Sequence, residues 1–156
     1  MAALLVLEFM RKLTPRPWVA AAGALLFAVH PIHSESITWA SGLKDPMYVS
    51  FMLGCLLTYL RFRQRPSVLS YLGALTFLVL ALLCKSMALV VPGMWLLLER
   101  SVGSPTPWRI ALARAVPAAV VCAWFLKRFI GISAAYHVER TIHGGTVFSH
   151  AVLAMW

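Results

Sequence analysis

Acidic side chains are scarce: five Asp and Glu stand against fourteen Lys and Arg, and charged residues of both signs make up only 12% of the chain. A soluble domain carries about twice that share, so the composition excludes an ordinary water-soluble fold. There is no CxxC pair either. Cys55, Cys84 and Cys122 each fall inside an apolar run, which argues against a disulfide framework or zinc ribbon and leaves them as small lipid- or core-facing hydrophobes. Internal repeats, low-complexity segments and glycine-rich nucleotide-binding patterns are missing. The order of a signal peptide is missing too, because apolar residues precede Arg11 and Lys12. The formal net charge of +9 raises the question of nucleic acid, but no aromatic-interleaved basic face accompanies it, so no such partner is expected.

What is present is apolar: 61% of the residues are hydrophobic and the mean hydropathy is +0.81. Apolar segments run at roughly 1 to 10, 18 to 31, 47 to 60, 69 to 84, 86 to 98, 110 to 126 and 146 to 156. Spanning a bilayer takes about 20 residues, so several of them must borrow flanking residues, tilt little or lie within a larger helical assembly. The expected fold is all-α, a polytopic transmembrane helix bundle. The end segments, MAALLVLEFM and TVFSHAVLAMW, are too short to cross as helices, which reads as a bundle truncated at both ends, a slice of a longer protein.

Basic residues alternate between loops. Arg11, Lys12, Arg16, Arg61, Arg63, Arg65, Arg100, Arg109 and Arg114 occupy every other loop, whereas Lys44, Lys85, Lys127, Arg128 and Arg140 occupy the rest. The positive-inside rule places the richer set in the cytoplasm. The stretch HPIHSESITWASGLKDP, residues 30 to 46, then faces the periplasm of a bacterial inner membrane, or the lumen of the endoplasmic reticulum. Lys127 and Arg128 are expected to snorkel to the interface, with FIGISAAY (129 to 136) lying on the membrane surface. Trp18, Trp39 and Trp108 suit an aromatic belt, and Glu99 with Arg100 reads as an interface anchor.

Ionisable groups at a membrane edge are costly, so the 30 to 46 stretch is the candidate site. His30, His33 and Glu35 converge on one side if the segment forms a helical turn, and three readings stay open. They ligate a divalent cation, although HxxH is not the i, i+4 spacing that sets two imidazoles on one helix face; they cap helix ends; or they serve an anionic ligand. Asp45 is placed to cap the next helix, with Pro46 in its first turn and Lys44 beside it, an arrangement that suits a phosphate. Lys85, in LLCKSMALVVPG, stands in a tight turn and needs a partner: Glu35, Asp45, a lipid phosphate, or water reached by snorkelling. A second outer group, YHVERTIHGG (136 to 145), reads as a lid or an ordinary polar loop.

The segments ALLFAVHPIHSESITWASGLKDPMYVSFMLGCLLTYL (24 to 60) and LALLCKSMALVVPGMWLLLE (80 to 99) resemble the membrane domain of the transmembrane and tetratricopeptide-repeat-containing protein O-mannosyltransferases and their bacterial relatives, glycosyltransferases of the GT-C fold. His30, Pro31, His33, Glu35 and Trp39 match the family's HPxHxExVxW; Lys44 and Asp45 match its RKD, with Leu43 in place of the arginine; Lys85 and Pro92 match a later lysine turn. The resemblance implies transfer of a sugar, mannose in the animal members, from a polyprenyl-phosphate carrier to a protein hydroxyl on the outer or lumenal face. It makes His30, His33, Lys44 and Lys85 the expected donor-phosphate ligands and Glu35 and Asp45 the candidate catalytic residues; a divalent metal stays open. It also implies that residues 1 to 156 are part of a glycosyltransferase membrane domain, with about five to seven membrane segments and no repeat domain. The family's catalytic acid of the first outer loop would then lie ahead of Met1, and this stretch alone would be inactive. The rival expectations are a non-catalytic membrane interaction module and a transporter for a lipid-linked sugar, although the inverted repeats that favour transport are not visible.

Overall fold

A computed structural model describes residues 1–30, 44–103 and 106–139, and every regular element among them is helical. The order is α1 (Ala2–Leu13), α2 (Pro17–Val29), α3 (Lys44–Gln64), α4 (Val68–Cys84), a 3₁₀ turn (Ser86–Val90), α5 (Val91–Ser101) and α6 (Trp108–Glu139). The all-α class therefore holds. The segment from 31 to 43, which contains His33, Glu35 and Trp39, and the final stretch from 140 lie outside the described residues.

Proline sets most of the boundaries. Pro17 occupies the first turn of α2, where its missing N–H costs nothing, and Pro31 forces the preceding His30 into an extended conformation (φ −65°, ψ 128°) that ends the helix. Pro66 follows α3 in the same way. Between α4 and α5 one extended residue, Lys85 (φ −155°, ψ 132°), is enough to reverse the chain into the 3₁₀ turn, and Pro92 then opens α5.

α3 and α4 form the central antiparallel pair, and they approach closely because small residues lie between them. A side chain at Gly54 would meet the Phe77 ring at 3.2 Å, and one at Gly73 would meet the Thr58 methyl at 3.3 Å. Around this seam Leu56, Tyr59, Leu78, Leu82, Ala88, Val91, Trp95, Ala118 and Cys122 form one buried cluster drawn from α3, α4, the 3₁₀ turn, α5 and α6. Cys55 and Cys122 are buried and Cys84 is half-buried, all as free thiols.

α6 is where the structure departs from the hydropathy reading. It continues without a break through Lys127, Arg128 and the 129 to 136 stretch to Glu139, 32 residues in all. Nothing there stops a helix, since Lys and Arg are good helix formers and glycine tolerates the helical conformation. At 1.5 Å per residue it is about 48 Å long, more than the roughly 30 Å of a hydrocarbon core. Pro117 sits inside it, and neighbouring groups commonly satisfy the carbonyls that such a proline displaces. The Tyr71 hydroxyl of α4 donates to the Arg114 carbonyl at 2.7 Å, next along the chain from the Ala113 carbonyl that Pro117 leaves without its helical donor.

Among the described residues one helix, over Trp108–Gly131, is long and apolar enough to cross a membrane; Pro17–Val29 and Val68–Cys84 are apolar but shorter. α3 has 21 residues, but its first and last turns carry Lys44, Asp45, Arg61 and Arg63.

Candidate functional site

The helix directions sort the polar residues into two ends. α3 and α4 are antiparallel, so Lys44 and Asp45 at the start of one lie beside Lys85 at the end of the other. Lys12 of α1 shares a groove with Arg61 and Arg65 of α3, so these two helices run parallel. α2, which returns along α1, therefore brings His30 to the end that holds Lys44.

At that end the Lys85 Nζ donates to Asp45 Oδ1 at 2.8 Å. The lysine side chain is 25% exposed and the aspartate 43%, so the pair is semi-exposed and worth about 1 kcal/mol or less. Its effect is positional. An ammonium has three donors, and Asp45 takes one of them; no other described residue takes a second. Asp45 does not stand at the cap, because α3 already begins at Lys44; it lies in the first turn, where its charge complements the helix dipole. Among the described residues, the partner of Lys85 is Asp45. The cation-ligand reading rests on His33 and Glu35, which lie outside the described residues, and so does most of the 136 to 145 segment. Among the described residues no three His, Cys, Asp or Glu side chains come together to hold a metal ion.

The opposite end holds a constellation that the sequence reading missed. Glu99 is not an exposed anchor but is fully buried. Its Oε1 accepts from the Tyr59 hydroxyl at 2.7 Å and from Arg114 Nη1 at 3.1 Å; its Oε2 faces Arg63 Nε at 3.0 Å and accepts from the Thr106 hydroxyl. Burial pushes the carboxyl upward, but hydrogen bonds from Thr106, Tyr59 and Arg114, together with the Arg63 charge, outweigh it and hold Glu99 below its ordinary value. It is a compensated buried anion. Arg63 also donates to the carbonyls of Leu98, at 2.6 Å, and Val102, capping the end of α5. Tyr59 stacks on Trp95 with ring centres 4.0 Å apart, and the Trp95 Nε1 is buried without a partner among the described residues.

A trace of this hub exists in the sequence. Tyr59 and Arg63 are four apart, as are Trp95 and Glu99, so each helix presents an aromatic and a charge on one face. Two such faces of opposite sign are complementary, but nothing in spacing alone says that they meet. The network joins α3, α5 and α6 and fastens the turn through Thr106, whose N–H also reaches the Glu99 carbonyl at 3.3 Å. With every Glu99 oxygen engaged, its chemistry is that of a lock.

Comparison with family models, curated proteins and solved structures finds no match to this chain.

Proposed function

We propose that this chain is part of a polytopic membrane domain that transfers a sugar from a polyprenyl-phosphate carrier to protein hydroxyls, with the His30, Lys44, Asp45 and Lys85 end as the donor site. The observation that carries the reading is the Asp45–Lys85 pair at 2.8 Å, which fixes a cation at the end of the helix bundle opposite the main basic cluster. A lipid-linked donor keeps its tail in the bilayer and its phosphate at the surface, so a site for it needs cations where helices emerge. The resemblance over residues 24 to 60 and 80 to 99 supports the reaction type.

In the proposed step the acceptor hydroxyl oxygen bonds to the anomeric carbon, the carbon–oxygen bond to phosphate breaks, and the electron pair leaves with the carrier phosphate. Lys44, Lys85, His30 and His33 stabilise the charge that grows there, and Asp45 keeps Lys85 in place. Glu35 takes the proton that the acceptor hydroxyl loses. Orientation follows from charge: the end with nine basic residues faces the cytoplasm, and the donor end faces the periplasm or lumen.

The test is transfer of radiolabelled sugar from a polyprenyl-phosphate donor to protein, in membranes from cells expressing the full chain. Lys85→Ala and Glu35→Gln are compared with the wild type at matched expression. Loss of one fixed cation is expected to lower the rate by about 10²-fold. Undiminished transfer in both variants would leave the donor end with a structural role only.

A further inference from the structure

The end of α3 carries Arg61 and Arg63 in its last turn and Arg65 just beyond it, and the three arginines are divided between two uses. Arg63 turns inward to Glu99 and the end of α5, whereas Arg61 and Arg65, each two residues away, lie on the other face. Together with Lys12 of α1 they line an open groove of about 500 Å³ between α1 and α3. Neither the Arg61 nor the Arg65 guanidinium has a partner among the described residues. Arg65 follows the last residue of α3 with its N–H still bonded to the Arg61 carbonyl at 2.9 Å, and like charges at that spacing repel one another by a few tenths of a kcal/mol, so this pair sits more comfortably with an anion between its members.

The other lining groups narrow the ligand. Lys12 is partly offset by Glu8 at 3.8 Å, which leaves a net cationic groove rather than a neutral one. The Thr58 hydroxyl donates to the Gly54 carbonyl, so towards the groove it offers only lone pairs; Gln64 offers an amide, and Leu57 an apolar wall. Planar guanidinium groups match phosphate oxygens bidentately. Glu8, Thr58 and Gln64 add acceptors, which a phosphate does not need and a hydroxylated headgroup does. Three cations, several hydroxyl acceptors and an apolar wall lie where α1 and α3 reach their basic ends.

We infer that this groove binds the phosphodiester of an anionic, hydroxyl-bearing phospholipid headgroup in the cytoplasmic leaflet, with Arg61 and Arg65 as its principal ligands. The inference rests on the membrane-embedded part of the function proposed above. It does not depend on sugar transfer, because the groove is at the opposite end from Lys85 and Asp45. The lipid would act as a wedge holding α1 against α3, the helices on either side of the groove.

The experiment is reconstitution of the full chain into vesicles of phosphatidylcholine alone or with phosphatidylglycerol, followed by gentle extraction and mass measurement of retained lipid, with thermal unfolding in parallel. Wild type is expected to retain phosphatidylglycerol over phosphatidylcholine and to unfold at a higher temperature with it. Arg61→Gln combined with Arg65→Gln is expected to weaken that preference about tenfold or more. Both side chains are exposed, so the variant should unfold like wild type in phosphatidylcholine; Arg65→Gln alone provides a milder check. Equal retention of the two lipids, or an unchanged preference in the double variant, would overturn the site. Inorganic phosphate reproducing the stabilisation would make it a free-anion site and overturn the lipid assignment. Protein that stays in the aqueous phase with either lipid would sink the membrane reading itself, an outcome distinct from insertion without preference.

Discussion

Glu99 shows how much one side chain can depend on its surroundings. A carboxylate without exposure would be prohibitively costly alone, yet here two arginines and two hydroxyls surround it. Glu99→Gln keeps the shape but leaves Arg63 and Arg114 facing each other uncompensated, and removing one member of a buried pair costs about 3 kcal/mol or more. A lower unfolding temperature in detergent micelles is the expected result, and a change within error would mean that the arginines find water or lipid instead. The pH dependence follows from the direction of the Glu99 shift. Because its folded value lies below the ordinary 4.5, its contribution is fully present above the unfolded value and is lost as pH falls through the folded one. That acid-sensitive component should be missing from the Gln variant. The sequence showed Glu99 only as a charge beside Arg100 at the end of an apolar run, a pattern shared with ordinary interface anchors. Its partners lie 15, 36 and 40 positions away along the chain, at Arg114, Arg63 and Tyr59.

Among the elements, the α3–α4 pair is the frame on which both ends depend. It sets Lys85 beside Asp45 at one end and carries Tyr59 and Arg63 to the other. The seam is close because Gly54 lies under Phe77, and a β-branched residue there has nowhere to go without moving the ring. Gly54→Val should cost about 1–3 kcal/mol by overpacking and should be partly relieved by Phe77→Ala. Chemical unfolding of the two single variants and the double variant tests this, and strictly additive losses would refute the contact. The helix boundaries were largely legible beforehand, because proline and charge punctuate them at Pro17, Pro31, Pro66 and Pro92. The length of α6 was not. Hydropathy marks where apolar residues stop, but a helix continues through Lys127 and Arg128 because its backbone bonds are local and indifferent to side-chain polarity.

For the molecule as a whole, the decisive property is segregation of charge. Nine of the fourteen basic residues gather at one end of the helices, with Lys44 and Lys85 at the other. Orientation in intact cells can be read with a membrane-impermeant maleimide in a Cys84→Ser background, since Cys55 and Cys122 are buried. Cysteine placed at exposed Met87 should label from outside, or from the lumen in microsomes opened on that side, whereas cysteine at exposed Ser67 should label only when the cytoplasmic face is accessible. The reverse pattern would invert the topology and move the proposed donor site to the cytoplasm.

The sequence by itself determined the all-α class, the apolar segments, most helix ends and the alternation of basic clusters, because these follow from local hydrophobicity, proline sterics and the order of residues along the chain. It also drew attention to Lys85 as a cation in need of a partner. Only the tertiary structure decided that Asp45 pairs with Lys85, that Glu99 is the buried centre of a lock, and that Arg61 and Arg65 line a groove while Arg63 does not. Each of those depends on which helix faces lie side by side, and that is set by the fit of Gly54 under Phe77, of Tyr59 on Trp95 and of the whole buried cluster, all contacts between residues distant along the chain.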